Sequence, residues 1–490
     1  MPQKCQNFVA EKIKLMKPSA IFICDASSSD WSGVFLARSD PEDTKRVESK
    51  TVICTALRSA TEATKEDVQS KITRWISPEK FRQSIDKRFP GCMNGRVMYV
   101  VPFAMGPLGG AHSMNSVQVT TVSTSWLTCT SCLGSAVECA GNRQLDFVGC
   151  VHSVGLPEPV TKKLHQNWLC NTERMFIGHE MDAREVGPME AALLGMRCWE
   201  EVSLFAYGLC DWRDEGWLAE HMAIISVTSK FFPMLCLVYP TFGFSIPKVK
   251  NSSSCLIPVW WWQNSNCFNE TFCLGGNSSV GDDAAWLRFN EEDGNLYAIN
   301  TENGMYGIAC ATNRVDNPNM LEMTSRDTIF TNIAETSDGR RWWQGIDAKG
   351  AEEALPSNVS IINWLGRDLG PMTDDLRKLQ QNTSSDNNKI AHSGARSDGL
   401  PLVVESLSWK HGVFMAASLR SESANKDRVL TNDPMGMRPF MGYSFAHYIN
   451  HWLGMEKPGR KMPKYSLLIG SRDNPLENCF GPASEKYSRA

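Results

Sequence analysis

The chain has 490 residues, of which 42% are hydrophobic and 21% charged, and its formal net charge at pH 7 is −4. That length admits two or three domains with large cores, and the small negative charge gives no reason to expect a nucleic-acid partner. Met1 to Lys14 carries charges throughout and lacks the apolar run of a signal peptide, so the cytosol is the expected compartment.

In chain order, Arg46 is the first residue that could carry chemistry. It stands between the turn-forming Pro41-Glu42-Asp43 and a predicted strand at Thr51-Val52-Ile53-Cys54. A guanidinium there either grips a carboxylate or phosphate with two hydrogen bonds or sits solvated at a strand edge. The run Val97 to Phe103 predicts a buried strand followed by a Gly/Pro turn. Residues 119 to 140 are rich in Ser, Thr and Cys with little periodicity, and a strand-like run returns over Asp146 to Gly155. Cys129, Cys132, Cys139 and Cys150 could in principle hold zinc, but their spacing is irregular and no second knuckle follows. Seventeen cysteines spread over the whole chain fit reduced thiols better than a disulfide framework.

Trp217-Leu218-Ala219-Glu220-His221-Met222 then supplies an imidazole. Met222 to Tyr239 is the longest apolar segment, but Ser226, Thr228, Ser229, Lys230 and Pro233 interrupt it, and no membrane span is expected. Residues 230 to 279 mix Pro, Ser, Asn and Cys with Val259-Trp260-Trp261-Trp262, and show neither turn-bounded strands of regular length nor a helical stripe. Gly281 to Asp347 reads as short strands, among them Asn295 to Asn300 and Thr328 to Ile333, separated by Asn/Gly turns. Residues 366 to 398 are polar enough to be disordered, and folded texture returns from Gly399 to Met455. The expected class is mixed α/β with much irregular sheet.

Gly281-Asp282-Asp283-Ala284-Ala285-Trp286 is the densest chemical signal. Two adjacent carboxylates between apolar flanks suit a hard cation, and an imidazole such as His221 biases the site from Mg²⁺ toward Mn²⁺. The alternative is that the two Asp side chains cap a turn and His221 lies satisfied in a helix. Lys410 and His411, in Ser408-Trp409-Lys410-His411-Gly412, are weaker candidates. No Gly-x-Ser-x-Gly nucleophile elbow is present.

Ten separated blocks together resemble the GTP-dependent phosphoenolpyruvate carboxykinase family. They are Arg46 to Ile53, Phe89 to Met93, Met98 to Gly109, His152 to Gly155, Glu215 to Met222, Val280 to Trp286, Glu302 to Gly304, Ile329 to Gly339, Leu407 to Phe414 and Met437 to Phe440. The resemblance implies a mixed α+β fold of two lobes, residues 1–206 and 210–490, with the active site between them and the second lobe nucleotide-binding. It implies interconversion of oxaloacetate and phosphoenolpyruvate with release of CO₂, GTP becoming GDP, with Mn²⁺ at the centre and Mg²⁺ accompanying the nucleotide. By position, Arg46 matches the substrate-binding Arg, His221 and Asp283 match two of three Mn²⁺ ligands, and Asp282 matches a contact to the nucleotide-associated metal. A monomer acting on small molecules in cytosolic gluconeogenesis is the family expectation.

The family pattern is also broken. Its P-loop, of the type Ala-Cys-Gly-Lys-Thr, belongs between Met222 and Gly281, yet that interval contains no Gly-Lys-Ser or Gly-Lys-Thr. The Tyr-Gly-Gly-Asn-Ser substrate loop and the Lys that would be the third Mn²⁺ ligand are replaced by Gly187-Pro188-Met189-Glu190-Ala191-Ala192 and the residues up to Tyr207-Gly208. The family's Asn-Ser-Arg segment is missing between Asp347 and Gly399. Ala395 stands where an Arg meets GTP, leaving Arg396, and Ser466 to Ala490 replaces the guanine pocket. These blocks begin and end abruptly, as out-of-frame stretches in a faulty gene model would; a pseudoenzyme that holds only a metal or a carboxylate is the competing account. A third expectation is that parts of the chain do not fold stably.

Overall fold

The computed structural model of the chain describes residues 2–24, 34–37, 51–61, 74–106, 114–122, 147–153, 176–182, 185–189, 216–220, 223–229, 233–238, 254–256, 275–281, 285–300, 309, 313–314, 318–331, 333–343, 345–346, 358–363, 366–371, 403–405, 409–410, 420–422, 430–432, 445–462 and 465–468. Helix α1 (Gln3–Met16) comes first, with Cys5, Phe8, Val9, Lys12 and Met16 buried. That spacing is one face of a 3.6-residue period, a signal that the charges of this segment had masked. Lys17 ends the helix in the left-handed region at φ 53°, its N–H donating to the Ile13 carbonyl at 2.9 Å.

Strands β1 (Ala20–Ile23), β2 (Val34–Ala37) and β3 (Thr51–Cys54) follow, then α2 (Arg58–Thr61), β4 (Trp75–Ile76) and α3 (Pro78–Asp86). Next come β5 (Val97–Met105), β6 (Met114–Thr120), β7 (Val148–His152), β8 (Phe176–Glu180) and β9 (Glu185–Met189). All but β2 join one eight-stranded mixed sheet in the order β1-β5-β6-β7-β9-β8-β3-β4. The strands expected over 51–54, 97–103 and 146–155 are present as β3, β5 and β7.

One face of this sheet carries Met98, Val100, Val117, Val119, Val151, Phe176 and Cys54, and α1 and α3 close over it with Phe8, Val9, Met16 and Phe81. Two strand glycines let the helices sit close. A Cβ on Gly149 would lie 2.6 Å from the Phe8 ring, and one on Gly178 would overlap the Phe81 ring. Helix α3 starts as its sequence dictates, with Ser77 as N-cap accepting from the Lys80 N–H at 3.3 Å, Pro78 in the first turn and Glu79 beside it.

The later half contributes β10 (Leu218–Glu220), β11 (Ala223–Ser229), β12 (Pro233–Val238), β13 (Ser254–Leu256), β14 (Gly275–Gly281), β15 (Ala285–Phe289) and β16 (Leu296–Asn300). It continues with α4 (Pro318–Met323), β17 (Thr328–Thr331), β18 (Ala334–Thr336), β19 (Arg341–Trp342), β20 (Ser360–Ile362), β21 (Asp368–Pro371) and, after further short strands, α5 (Phe445–Gly454). The sheets β10-β15-β16 and β12-β11-β14 each have three strands, and β17 pairs in parallel with β2, Thr328 opposite Val34. Leu321, Phe330, Trp342, Trp343, Ile346 and Ile361 form a separate core in which Phe330 stacks on Trp343 at 5.5 Å.

The expectation of no regular strands over residues 230 to 279 is corrected: β12 and β14 both lie there and flank β11 in antiparallel pairing. Ladder partners far apart in sequence satisfy their backbone groups, and local periodicity does not report such partners. The architecture as a whole is the mixed α/β class expected, with several separate sheets. No described helix is long and apolar enough to cross a membrane, and Cys5, Cys24, Cys54, Cys92 and Cys150 are buried free thiols.

Candidate functional site

The five residues singled out from the sequence, Arg46, His221, Asp282, Asp283 and Arg396, lie outside the described residues, as does His411. The frame on both sides of three of them is described. Strand β10 pairs antiparallel with β15, Glu220 opposite Ala285, and β11 pairs antiparallel with β14, Ile224 opposite Gly281. The pairs that flank the gap share one register, and the β11–β14 ladder then shifts by one residue between Ile224 and Ile225. Residues 221–222 lie between β10 and β11, and residues 282–284 between β14 and β15. His221 itself lies outside the described residues, with Glu220 of β10 before it and Ala223 of β11 after it.

The frame is held by aromatic packing. Trp217, Leu218 and Ala219 are buried on β10 and its approach, and Ala285, Trp286, Leu287 and Phe289 on β15. Trp409 packs edge-on to Phe289 at 5.9 Å and tilted against Trp452 of α5 at 5.3 Å, while its indole N–H donates to the Trp452 carbonyl at 2.7 Å. His451 of α5 sits with Nε2 2.8 Å from the Trp217 carbonyl, and Arg288 lies 5.6 Å from the centre of the Trp217 ring. Helix α5 thus grips the residue that leads into β10, three positions before Glu220. Lys410, next to buried Trp409, is exposed.

The turn from β15 to β16 is locked as firmly. Asn290 and Asn295 pair across it at 2.9 Å, the Glu292 N–H donates to Asn290 Oδ1 at 2.8 Å, and Tyr297 donates its phenol hydrogen to Asp293 Oδ2 at 2.8 Å. The Asn295 backbone N–H and that phenol hold the Asp293 carboxyl below the usual carboxylate range. Gly294 takes φ +69°, and its missing side chain admits the Gly459 carbonyl. The Lys461 N–H donates to the Gly294 carbonyl at 2.7 Å, and Arg460 pairs with Glu291 over the Phe289 ring. The strand that leads away from Asp283 is therefore fixed at its far end as well.

In the Ile329 to Gly339 block, Thr336 accepts from the Arg340 N–H at 2.8 Å and Asp338 pairs with the Arg340 guanidinium at 2.7 Å. Those bonds push the Asp338 carboxyl down to about 2, Arg340 contributing most and the Thr336 hydroxyl next. This is a satisfied turn and offers no free acid or base. Among the described residues, no three His, Cys, Asp or Glu side chains gather as a metal site. By residue type, the imidazole of His221 and the carboxylates of Asp282 and Asp283 are donors that suit a divalent cation. No comparable fit exists for a phosphate cradle: the interval between Met222 and Gly281 lacks the Gly-Lys pair, and its described parts are strands. The aromatic support from Trp217, Trp409, Tyr448 and Trp452 was not read from the sequence, although Ala284-Ala285-Trp286 already marks β15 as buried.

Comparison with known proteins matches both halves of the chain. Residues 29–195 match the phosphoenolpyruvate carboxykinase N-terminal domain, and residues 217–468 match the phosphoenolpyruvate carboxykinase C-terminal P-loop domain. The chain is 35% identical to the GTP-type phosphoenolpyruvate carboxykinase of Haemonchus contortus, over 95% of this chain and 79% of that protein. It is 36% identical to the cytosolic GTP enzyme of Bos taurus, over 100% of this chain and 82% of that protein. With the mitochondrial GTP enzyme of Homo sapiens the identity is 35%, over 95% and 76% respectively.

Proposed function

The chain belongs to the GTP-dependent phosphoenolpyruvate carboxykinase family, and from that premise we propose that it binds the oxaloacetate–phosphoenolpyruvate pair at a divalent-metal centre formed by His221 and Asp283. The family's members are carboxy-lyases of gluconeogenesis that use GTP and a divalent metal. For this chain the metal is Mn²⁺, the compartment is the cytosol and the protein is a monomer. Its lobes are residues 1–206 and 210–490. The observation that carries the reading is the shared register across the gap, Glu220 with Ala285 and Ile224 with Gly281. Connections of two and three residues reach at most about 10 Å, which supports a shared centre for His221 and Asp283.

In the family reaction the bond from the leaving carboxylate of oxaloacetate breaks, its electron pair passes to the carbonyl oxygen as an enolate, and that oxygen takes the γ-phosphoryl of GTP. A bound divalent ion supplies charge neutralisation at the enolate oxygen. The chain's own residues do the rest: Arg46 holds a substrate carboxylate by paired N–H donors, and Asp283 and His221 fix the ion. Asp282 would contact the metal that accompanies the nucleotide, and Arg396 would be the remaining cation for its phosphates.

The test is calorimetric titration with Mn²⁺, then phosphoenolpyruvate, then GTP on the full chain, beside Asp283→Asn. Mn²⁺ binding weakened at least tenfold by the substitution supports the centre, and equal Mn²⁺ affinity in both proteins overturns it. A second reading rests on the missing Gly-Lys pair between Met222 and Gly281: a pseudoenzyme that binds metal or carboxylate without nucleotide. It predicts Mn²⁺ binding with no GTP binding, whereas micromolar GTP binding eliminates it. Resequencing the transcript separates either reading from a faulty gene model, because an uninterrupted frame over 119–140 and 230–279 removes that account.

A further inference from the structure

We propose that the face of the eight-stranded sheet turned away from α1 and α3 contains an acid-operated release, in which a proton taken up by His179 unseats β8. That face is polar. Along β6, Val117 and Val119 belong to the helix-covered core, so alternation puts Ser116, Gln118 and Thr120 on the other side, all three at most 2% exposed. By the same alternation Cys150 and His152 of β7 share that side, as do Ile177 and His179 of β8. The register strings Val101, Gln118, Cys150, Val186, His179 and Ile53 into one row across the sheet.

Within that row His179 is fully buried, and among the described residues neither of its ring nitrogens has a hydrogen-bond partner. Its cross-strand neighbours, Ile53 on β3 and Val186 on β9, are apolar. The titratable side chains on its face are Cys150, two strands away in the same row, and His152, two residues further along β7. His152 is already engaged, its Nδ1 lying 3.1 Å from the Thr120 hydroxyl. The nearby acids face elsewhere: Glu180 alternates to the helix side, and Asp182 accepts from the Ala56 N–H at 2.8 Å. Among the described residues no carboxylate stands ready to compensate an imidazolium at His179.

A neutral ring is tolerated there, whereas a charged one would be stranded without solvent or counter-charge. Burial alone lowers the pKa of His179 to about 4. In the unfolded chain a histidine titrates near about 6.5. Between those values the unfolded state binds one more proton than the folded state, so the folded state loses stability as pH falls and keeps all of it above about 6.5. Because β3 pairs with β8 along its whole length, and Arg46 precedes β3, release at β8 would also loosen the strand behind Arg46; that consequence alone rests on the functional reading above.

Urea unfolding of the full chain, followed by far-ultraviolet circular dichroism at pH steps from about 7.5 to about 4.5, tests the release against His179→Leu. Each pH unit below about 6.5 should raise the unfolding constant of the parent protein by up to about tenfold more than that of the variant. Parallel slopes in the two proteins overturn the proposal. If His179→Leu fails to fold, the imidazole resonances of the parent protein decide, assigned with His179→Gln. A His179 signal that stays neutral until the sheet unfolds supports the release, and one that titrates near about 6.5 in the folded chain refutes it.

Discussion

At Gly178 the absence of a single carbon decides how α3 meets the sheet. The Phe81 ring occupies the space a side chain would need, so Gly178→Ala forces either the ring or the strand to move. Overpacking of this kind costs about 1–3 kcal/mol, and urea unfolding should show a lower midpoint with an unchanged slope. Gly149→Ala, against the Phe8 ring, should behave alike. A control at Gly339, where a Cβ would meet no atom but φ is +81°, separates crowding from backbone strain. Gly149 sits inside the strand-like run read over Asp146 to Gly155, whereas no strand was read around Gly178. Their role as helix seats was hidden there, because it depends on which aromatic crosses over them.

At the level of elements, α5 holds the candidate site in place. Trp452 is fully buried between Trp409 and Tyr448, at ring separations of 5.3 and 6.3 Å, while the neighbouring His451 reaches the Trp217 carbonyl. Trp452→Ala should cost about 3–5 kcal/mol through the cavity it leaves. Since Trp217 and β10 lean on this cluster, Mn²⁺ affinity should fall with it. Thermal unfolding and calorimetry on the same variant check both effects, and a large loss of stability with unchanged Mn²⁺ affinity would show that the site does not depend on α5. The strands β3, β5, β7 and β16 were legible as apolar runs bounded by turn residues. By contrast β12 and β14 were not, because Pro, Ser and Gly fill them and their pairing partner β11 lies elsewhere in the chain. Helix α1 was legible in its spacing of Cys5, Phe8, Val9, Lys12 and Met16, yet its charges drew attention away from the buried face.

Across the whole molecule, seventeen cysteines and free thiols at Cys5, Cys24, Cys54, Cys92 and Cys150 lead to one expectation. Denatured protein prepared without reductant should titrate seventeen thiols, and a count lower by an even number would reveal disulfides. Family membership was readable in sequence from ten motifs in order, because metal-binding and substrate-binding residues are fixed in type and spacing by their chemistry. The candidate centre was readable for the same reason: an adjacent pair of carboxylates and an imidazole suit a hard cation wherever the fold brings them. Sequence also determined that no Gly-Lys pair stands between Met222 and Gly281. Tertiary structure alone decided that Glu220 pairs with Ala285 and Ile224 with Gly281 on the two sides of the gap, and that an unpartnered imidazole lies in the middle of the first sheet. Both are long-range facts: a ladder's register and a side chain's burial depend on segments dozens of residues away, which local pattern does not encode.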